Sequence, residues 1–293
     1  MPATEAIDRI EIAAGGLLFT GRATGPQDGP PVLLLHGFPQ TSWAWRDELS
    51  ALGRAGFRGV APDQRGYCEG ARPAEVAAYG TEQLAGDVLA LADALGMDTF
   101  SLVGHDWGAM LGWLVASRHP GRVRSLAAVS TPHPLALQEA LSGGDPAQAA
   151  HGAALASFCS GDLAERLLLG PDGSGSGLRT LLAQTGLDDE HAGVYVAALR
   201  RPGALTAALN WYRAMDGAVL QGLRPVAVPT LYVWSTGDDA FGPAAARGTE
   251  RHVVGPYTFE VLEHVSHWIP ETAPADLSEL LLRHLGHPAR MEP

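Results

Sequence analysis

One short segment constrains the fold of this chain more than any other. The apolar run at residues 100–103 leads directly into the pentapeptide GHDWG at residues 104–108, and a helical pattern follows. A continuous apolar run of this kind is typical of a strand that is buried on both faces. The two glycines predict a sharp turn, because larger side chains at those positions would collide with the neighbouring strand and helix. The segment therefore predicts a strand, a tight turn and a helix, with Asp106 held at the carboxyl end of a sheet.

Strand and helix patterns alternate along the N-terminal part of the chain. Strand-like patterns lie at residues 9–13, 17–23, 32–35, 59–61, 100–103 and 123–130, and helical patterns lie at residues 43–54, at residues 81–95 and after residue 106. Ser42 and Thr81 are expected to cap the first two helices, because serine and threonine are favoured at that position. This order of elements indicates βαβ units around a mostly parallel sheet.

A long helical stretch interrupts this alternation. Residues 135–223 show only helical periodicity, broken by glycine-rich loops, and strand patterns return at residues 230–235 and 258–262. We therefore expect an α/β core at residues 1–134 and 224–293, with a helical cap inserted at residues 135–223. An independent helical domain is the alternative, and the return of both ends of the stretch to the same sheet argues against it.

Composition and charge exclude several classes of protein. The chain is 46% hydrophobic and 18% charged, which suits a large folded core and not a disordered chain. The net charge of −12, without any basic stretch, disfavours binding to nucleic acid. The N-terminus lacks the pattern of a secretory signal, and no apolar run is long enough to span a membrane, so we expect a cytoplasmic protein. The spacing of Cys68 and Cys159 fits no metal or redox motif, and we expect two reduced thiols.

The turn at Asp106 has the strand–turn–helix context of a nucleophile elbow, G-x-S-x-G, with aspartate in the position of the serine. Trp107 is expected to supply the first backbone N–H of the following helix, which would face developing negative charge. An aspartate in front of a helix is also a common helix cap. This motif alone therefore leaves both interpretations open.

Two further segments connect the motif to a family. HGFP at residues 36–39, together with GHDWG at residues 104–108, resembles the epoxide hydrolase and haloalkane dehalogenase branch of the α/β-hydrolase superfamily. The segment DQRGY at residues 63–67 is similar to the loop after the fourth strand in that branch, and the similarity extends over nearly the whole core. The resemblance implies the α/β-hydrolase fold, with a mostly parallel central sheet flanked by helices and an inserted helical cap. It also implies that Asp106 is a nucleophile that attacks carbon.

An ester formed on Asp106 must be hydrolysed, and that step needs a base near a water molecule. Histidine suits this task at neutral pH, and the segment HVSHWIP at residues 264–270 resembles the catalytic His-Trp segment of the family. His267 is therefore the expected base, because its alternative, His264, lies too close to the end of the strand. The acid that orients the histidine should follow the seventh strand. The family pattern favours Asp238, and Asp239 would then cap the next element.

The loop after the third strand is expected to supply the second donor of an oxyanion hole. In this family the donor is a backbone amide, here the N–H of Phe38, which acts together with the amide of Trp107. The family often has a cis peptide bond before the proline, here Pro39, and this bond would orient the amide. His36 and Pro39 of the same loop are expected to contact the substrate.

The segment LNWYR at residues 209–213 contains the expected proton donor. It resembles the cap segment of epoxide hydrolases whose tyrosine, here Tyr212, donates a hydrogen bond to the epoxide oxygen, because an alkoxide leaving group requires an acid. Epoxide hydrolases usually have a second tyrosine early in the cap, and this chain has none there. His151 or Trp211 is the expected substitute, and both are expected to bind substrate. Tyr195 is another candidate, although an aromatic residue at helical spacing more often belongs to a core.

Other functions remain as alternatives. A haloalkane dehalogenase would bind the halide with the indole N–H of Trp107, but that class usually has a second donor, often asparagine, where this chain has Phe38. The fluoroacetate type typically has arginine in place of Trp107. An ester or lactone hydrolase is disfavoured because the elbow lacks serine and cysteine, and a non-catalytic binding protein would have an incomplete triad. We expect an epoxide hydrolase that acts on a small hydrophobic epoxide without a metal or cofactor, and a homodimer is compatible with the sequence.

Overall fold

The computed structural model describes residues 6–144, 148, 157–215 and 217–286. The strands in this part of the chain are β1 (Asp8–Ala14), β2 (Leu17–Thr24), β3 (Pro31–Leu35), β4 (Arg58–Pro62), β5 (Phe100–His105), β6 (Val123–Val129), β7 (Thr230–Gly237) and β8 (Tyr257–Ser266). They form one sheet in the spatial order β1-β2-β4-β3-β5-β6-β7-β8. The pairs β1–β2 and β2–β4 are antiparallel, and all the other pairs are parallel. The predicted mostly parallel sheet is therefore confirmed.

Helices flank this sheet, and the elements described between β6 and β7 are helical. The α-helices are α1 (Arg46–Arg54), α2 (Thr81–Ala94), α3 (Trp107–Arg118), α4 (Pro134–Ser142), α5 (Asp162–Leu169), α6 (Ser176–Gln184), α7 (Asp189–Leu199), α8 (Ala204–Arg213), α9 (Pro243–Gly248), α10 (Ile269–Thr272) and α11 (Pro274–Leu285). Helices α4 to α8 lie between β6 and β7 in the sequence. We refer to these helices and their connecting loops as the helical insertion.

Strand β3 shows why the central strands are continuous apolar runs. Successive side chains of a strand point to opposite faces of the sheet. Val32 and Leu34 belong to the apolar cluster on one face, and Leu33 and Leu35 belong to the cluster on the other. All four side chains are buried. The helices therefore cover both faces, and the carboxyl ends of the parallel strands are the positions left for a site.

The helical insertion packs against the sheet. Every element described between β6 and β7 is helical. Leu178, Leu205 and Leu209 of the insertion are buried in the same apolar cluster as Leu33 of the sheet. The insertion and one face of the sheet thus share a continuous apolar interior. His151, which the sequence singles out as a substrate-binding candidate, lies outside the described residues.

Two helix starts differ from the prediction by one residue. Thr41, not Ser42, caps the first helical segment, because its side chain accepts the backbone N–H two residues further on. That segment begins as a 3₁₀ turn, Ser42–Trp45, before α1. Gly80 occupies the cap position of α2, and Thr81 is the first residue of the helix. Both threonine and serine suit these positions chemically, so local preference alone does not fix the start.

The two cysteines lie in different surroundings and are not bonded to each other. Cys68 is buried, Cys159 is exposed, and both are free thiols, as predicted. Within the described ranges, no helix combines the length and apolar character needed to cross a membrane.

Candidate active site

Asp106 occupies the sharp turn between β5 and α3. Its φ of +52° lies in a region that residues other than glycine rarely adopt, which indicates a strained turn. A Cβ on Gly104 would lie 2.2 Å from the carbonyl oxygen of Gly108, and a Cβ on Gly108 would lie 2.0 Å from the carbonyl oxygen of Leu35. Close backbone approach therefore requires both glycines, for the reason that the sequence pattern suggests.

The loop after β3 brings a backbone amide to the Asp106 carboxylate. The N–H of Phe38 donates to Oδ1 of Asp106 at 2.8 Å. The approach is close enough that a Cβ on Gly37 would lie 2.3 Å from the same oxygen. The peptide bond between Phe38 and Pro39 is cis, as the family resemblance implies. The amide of Trp107 also faces the carboxylate and stabilises its charged form. Two backbone donors thus converge on one side chain.

His267 follows directly after β8 and lies between two carboxylates. Its Nδ1 lies 3.1 Å from Oδ2 of Asp238, within hydrogen-bond distance. On the other side of the ring, Nε2 lies 3.7 Å from Oδ2 of Asp106, which is too long for a direct hydrogen bond. The His267 side chain is 7% exposed and the Asp238 side chain is fully buried. The structure therefore brings together Asp106, His267 and Asp238 at the carboxyl ends of β5, β8 and β7.

The geometry distinguishes Asp238 from its neighbour. Oδ1 of Asp238 accepts the backbone N–H groups of Ala240 and Phe241, at 2.8 Å and 3.0 Å, so the carboxylate is held in place while it contacts the histidine. Asp239 is exposed to solvent. The alternative base, His264, is also exposed and lies within β8 with a φ of +63°. Of the two pairs of candidates, Asp238 and His267 are the members that contact each other beside Asp106.

Burial and charge set the protonation of this cluster. Burial by itself would raise the pKa of Asp106, but the neighbouring His267 and His105 outweigh burial and hold this pKa below 3.8. Burial would likewise lower the pKa of His267, but the charges of Asp238 and Asp106 raise it well above 6.5. The resting site therefore contains an imidazolium between two carboxylates.

The main chain of His267 is held by buried polar side chains. Its carbonyl oxygen accepts the hydroxyl of Ser130 at 2.8 Å and lies 2.9 Å from Nε2 of His105. Nδ1 of His105 lies 2.8 Å from the side-chain oxygen of Gln40. Burial and the charge of His267 lower the pKa of His105 to about 3, so the ring is neutral and carries one N–H. His105 can therefore donate to one of its two oxygen neighbours at a time.

Aromatic side chains form a wall beside the Asp106 carboxylate. The ring of Tyr212, on α8, lies 5.4 Å from that of Phe38, 5.2 Å from that of Trp107 and 5.1 Å from that of Phe158, measured between centroids. Burial, followed by the charge of Asp106, raises the pKa of Tyr212 well above 10. Its hydroxyl is therefore protonated at neutral pH and can donate a hydrogen bond.

Comparison with known proteins gives the family. A family model described as alpha/beta hydrolase fold matches residues 30–149. The chain is 32% identical over 282 residues to AB hydrolase superfamily protein YfhM of Bacillus subtilis, a match that covers 94% of this chain and 96% of the relative. It is 31% identical over 302 residues to Epoxide hydrolase A of Mycobacterium tuberculosis, which covers 89% of this chain and 92% of the relative.

A solved structure agrees with these relatives. The crystal structure of Epoxide Hydrolase A from Mycobacterium thermoresistibile has a TM-score of 0.81 and 26% sequence identity, covering 96% of this chain and 98% of that one. This chain belongs to the epoxide hydrolase family of the α/β-hydrolase superfamily. The predicted fold and family are thereby confirmed.

Within the epoxide hydrolase motif HGFP, the histidine has a different place from the one predicted. His36 was expected to contact substrate, but its side chain is fully buried. Nδ1 lies 2.9 Å from the carbonyl oxygen of Gly37, and Nε2 accepts the backbone N–H of Gln64 at 3.1 Å. One ring nitrogen thus contacts the loop after β3 that carries it, and the other joins that loop to the loop after β4. Pro39 is buried in the same loop.

The candidates for the second epoxide hydrolase tyrosine also have other contacts. The indole N–H of Trp211 donates to the carbonyl oxygen of Arg65 at 2.9 Å, so this donor already has an acceptor within the protein. The ring of Trp211 still packs against that of Trp107, at 5.5 Å between centroids. Tyr195 is fully buried on α7 and donates its hydroxyl to Glu271. Neither side chain is therefore the missing donor in this arrangement.

Three residues near the site were not found from the sequence. Phe158 belongs to the aromatic wall, and Gln40 and Glu271 lie in the polar shell behind His267. Gln40 directly follows the HGFP motif and Glu271 follows His267 by four residues, so proximity to a motif was the available signal. Phe158 lies in a segment of small residues without a motif, and only tertiary packing identifies it.

Proposed function

We propose that this chain hydrolyses a small hydrophobic epoxide to a vicinal diol through an alkyl ester on Asp106. The observation that carries the proposal is the position of the His267 ring between Asp106 and Asp238. A relative that is similar in sequence and a solved structure that is similar in fold are both named epoxide hydrolases. The Tyr212 ring beside Asp106 supports an epoxide as the substrate, because its hydroxyl is a proton donor.

In the first step, a carboxylate oxygen of Asp106 attacks an epoxide carbon and the carbon–oxygen bond of the ring breaks. The electron pair of that bond remains on the oxygen, which takes a proton from the Tyr212 hydroxyl. The product is a hydroxyalkyl ester on Asp106. Acid assistance of this type contributes typically about 10²–10⁴-fold to the rate.

In the second step, His267 takes a proton from water, and the resulting hydroxide attacks the carbonyl carbon of the ester. Asp238 stabilises the imidazolium that forms. The amides of Phe38 and Trp107 face the oxygen that becomes negative, and removal of one such donor typically costs about 10²–10³-fold in rate. The tetrahedral intermediate then collapses, the departing diol oxygen takes the proton of the Asp106 carboxyl group, and the Asp106 carboxylate and the protonated His267 of the resting site are restored.

The change of charge on Asp106 explains how one histidine serves this sequence. In the resting site the two carboxylates raise the pKa of His267, so its imidazole is protonated. The ester is neutral, and His267 then keeps only the charge of Asp238 as a partner. Its pKa falls, the imidazolium passes its proton to the Tyr212 phenolate left by ring opening, and the neutral ring becomes a base at the stage when water must be activated.

We also propose that residues 135–223 act as the cap of this site. Tyr212 and Phe158 come from the insertion and pack on Phe38 of the core, so substrate would bind between the two. The aromatic character of this wall favours an apolar substituent on the epoxide. A polar or charged epoxide would lose hydration there without a partner.

The test uses a variant in which the second step is blocked. His267→Gln should allow attack by Asp106 but not hydrolysis, so incubation with styrene oxide should raise the protein mass by one substrate. His264→Gln is the matched control, because His264 is exposed and lies three residues away on β8. We expect the control to turn over like the wild type and to show no added mass. Normal turnover by His267→Gln would contradict the proposal.

A further inference from the structure

A buried chain of polar side chains joins the helical insertion to the shell behind the site. Tyr195 of α7 donates its hydroxyl to Oε1 of Glu271, which lies on α10 just after the His267 loop. The side-chain amide of Gln40 donates to the same oxygen at 2.7 Å. Glu271 thus receives one donor from the insertion and one from the core.

Gln40 connects this carboxyl group to both halves of the proposed site. Its side-chain oxygen accepts the backbone N–H of Gly37 at 2.8 Å, next to the Phe38 amide. The same oxygen lies 2.8 Å from His105, whose other ring nitrogen lies 2.9 Å from the carbonyl oxygen of His267. One amide group therefore contacts the loop of the oxyanion donor and the shell of the base.

The orientation of the Gln40 amide depends on Glu271. The N–H of Gly37 requires an acceptor, so the oxygen of the amide must face Gly37 and its nitrogen must face Glu271. A buried amide nitrogen without an acceptor is costly, and Oε1 of Glu271 meets this need. Glu271 is 6% exposed, and its second oxygen has no hydrogen-bond partner among the described residues.

We propose that Glu271 is a positioning residue for the hydrolytic step. By accepting the Gln40 amide and the Tyr195 hydroxyl, it fixes the amide whose oxygen accepts the Gly37 N–H, and so it holds the loop that carries the Phe38 amide. It touches no reacting atom. The inference rests on the proposed function, because it assigns Glu271 to the step in which His267 and the Phe38 amide act.

The role proposed for this carboxyl group is that of an acceptor of two hydrogen bonds. Burial raises the pKa of Glu271, and this favours its neutral form. A glutamine at this position would keep an acceptor oxygen for both donors, whereas a leucine would keep only the volume. Glutamine should therefore rescue function where leucine does not.

The two half-reactions should respond differently to Glu271→Leu. Ring opening depends on Asp106 and Tyr212, and hydrolysis depends on His267 and the Phe38 amide. Small displacements of catalytic groups cost up to about 10²-fold, so hydrolysis of the ester should slow by about 10–100-fold while alkylation stays within about threefold of wild type. Glu271→Gln should restore hydrolysis to within about threefold. The two rates are measured by single turnover with styrene oxide and mass detection of the alkylated full-length protein.

Glu48 offers a matched control. It is a second fully buried glutamate, it lies on α1, and neither of its carboxyl oxygens has a hydrogen-bond partner among the described residues. Glu48 interacts with Glu271 and Tyr195 through its charge, but Gln40 and Tyr195 donate to Glu271 and not to Glu48. Glu48→Leu therefore removes a nearby buried carboxyl group without removing the acceptor, and both half-reactions should stay within about threefold of wild type. If Glu271→Leu fails to fold, Tyr195→Phe removes one of the two donors to Glu271 and should slow hydrolysis selectively, by a smaller factor.

A second measurement is independent of the ester. The backbone amide of Gly37 should exchange its hydrogen faster in Glu271→Leu than in the wild type, and at the wild-type rate in Glu48→Leu. Unchanged exchange, hydrolysis at the wild-type rate in Glu271→Leu, equal slowing of both half-reactions, or a Glu271→Gln variant as slow as Glu271→Leu would overturn the role of Glu271. Absence of any ester on the wild-type enzyme and on His267→Gln would instead contradict the proposed function, and the exchange of Gly37 would still test the positioning.

Discussion

At the scale of single residues, the proposed reaction depends on the surroundings of His267. Asp238 contacts Nδ1 of the ring, and Asp106 faces Nε2. Both charges raise the pKa of the histidine, so the resting ring is an imidazolium. Formation of an ester on Asp106 removes one of these charges. The nucleophile would therefore control the protonation of the base that later hydrolyses its ester.

Asp106→Asn reproduces the neutral side chain of the ester without substrate. The pKa of His267 should be lower in this variant than in the wild type, because one of its two carboxylate partners is lost. The measurement is an NMR titration of the His267 ring proton. Asp239→Asn is the control, because Asp239 is exposed, and it should leave this pKa unchanged. An unchanged titration of His267 in Asp106→Asn would exclude the charge switch.

The pKa shifts of His267 and Asp106 also make the stability of the fold depend on pH. The raised pKa of His267 means that its contribution is fully present below the ordinary value of 6.5 and is lost as pH rises through the raised value. The lowered pKa of Asp106 means that its contribution is present above 3.8 and is lost as pH falls through the lowered value. The pair therefore stabilises the fold most between these limits. In Asp106→Asn the loss of stability on raising the pH should be smaller and should be complete at a lower pH, which urea unfolding can measure.

Tyr212→Phe separates the two chemistries of this branch. An epoxide oxygen leaves as an alkoxide and needs a hydroxyl donor, whereas a halide leaves as a weakly basic ion. Alkylation by styrene oxide should slow by about 10²–10⁴-fold when the hydroxyl is removed. Tyr257→Phe is the control, because the Tyr257 hydroxyl has no hydrogen-bond partner among the described residues. Epoxide turnover near the wild-type rate would remove Tyr212 from the mechanism. Bromide release from bromoalkanes that ignores Tyr212 and depends on Trp107 would assign the chain to dehalogenation.

At the scale of elements, the sequence predicts the main framework well. Apolar runs bounded by glycine-rich turns identify the buried strands, and the elbow sets the turn at Asp106 because its glycines have a local steric cause. The carboxyl ends of parallel strands share one edge of the sheet. The order Asp106, Asp238, His267 could therefore be read from motifs that follow strands β5, β7 and β8.

Side-chain contacts between separate elements could not be predicted from the sequence. His36 carries a motif that suggests a binding role, but its ring joins two loops because the Gln64 amide meets it. Tyr195 resembles a second donor until its contact with Glu271 is known. Such roles depend on which side chains meet across the fold, and no local pattern encodes that meeting. The same limit applies to Phe158, whose partners are distant in the sequence.

At the scale of the whole molecule, the site forms where the insertion meets the sheet. The sheet supplies the proposed nucleophile, base and acid at one edge, and the insertion supplies Tyr212 and Phe158, which pack on Phe38 of that edge. A single apolar cluster extends through both parts. The proposed cap would therefore exclude water from the alkylation step while it binds the apolar part of the substrate. Substitutions that weaken the packing between the insertion and the sheet should impair substrate binding before they destabilise the sheet.

The ester on Asp106 is the central claim, and one isotope measurement tests it most directly. A single turnover of excess enzyme with styrene oxide in H₂¹⁸O should place the label in the Asp106 carboxylate, because water attacks the carbonyl carbon of the ester. The first diol formed should then be unlabelled, since its new oxygen comes from Asp106. Mass analysis of the peptide that contains Asp106 reads both outcomes. Label in the first diol and none in Asp106 would show that water attacks the epoxide directly, and would contradict the ester mechanism.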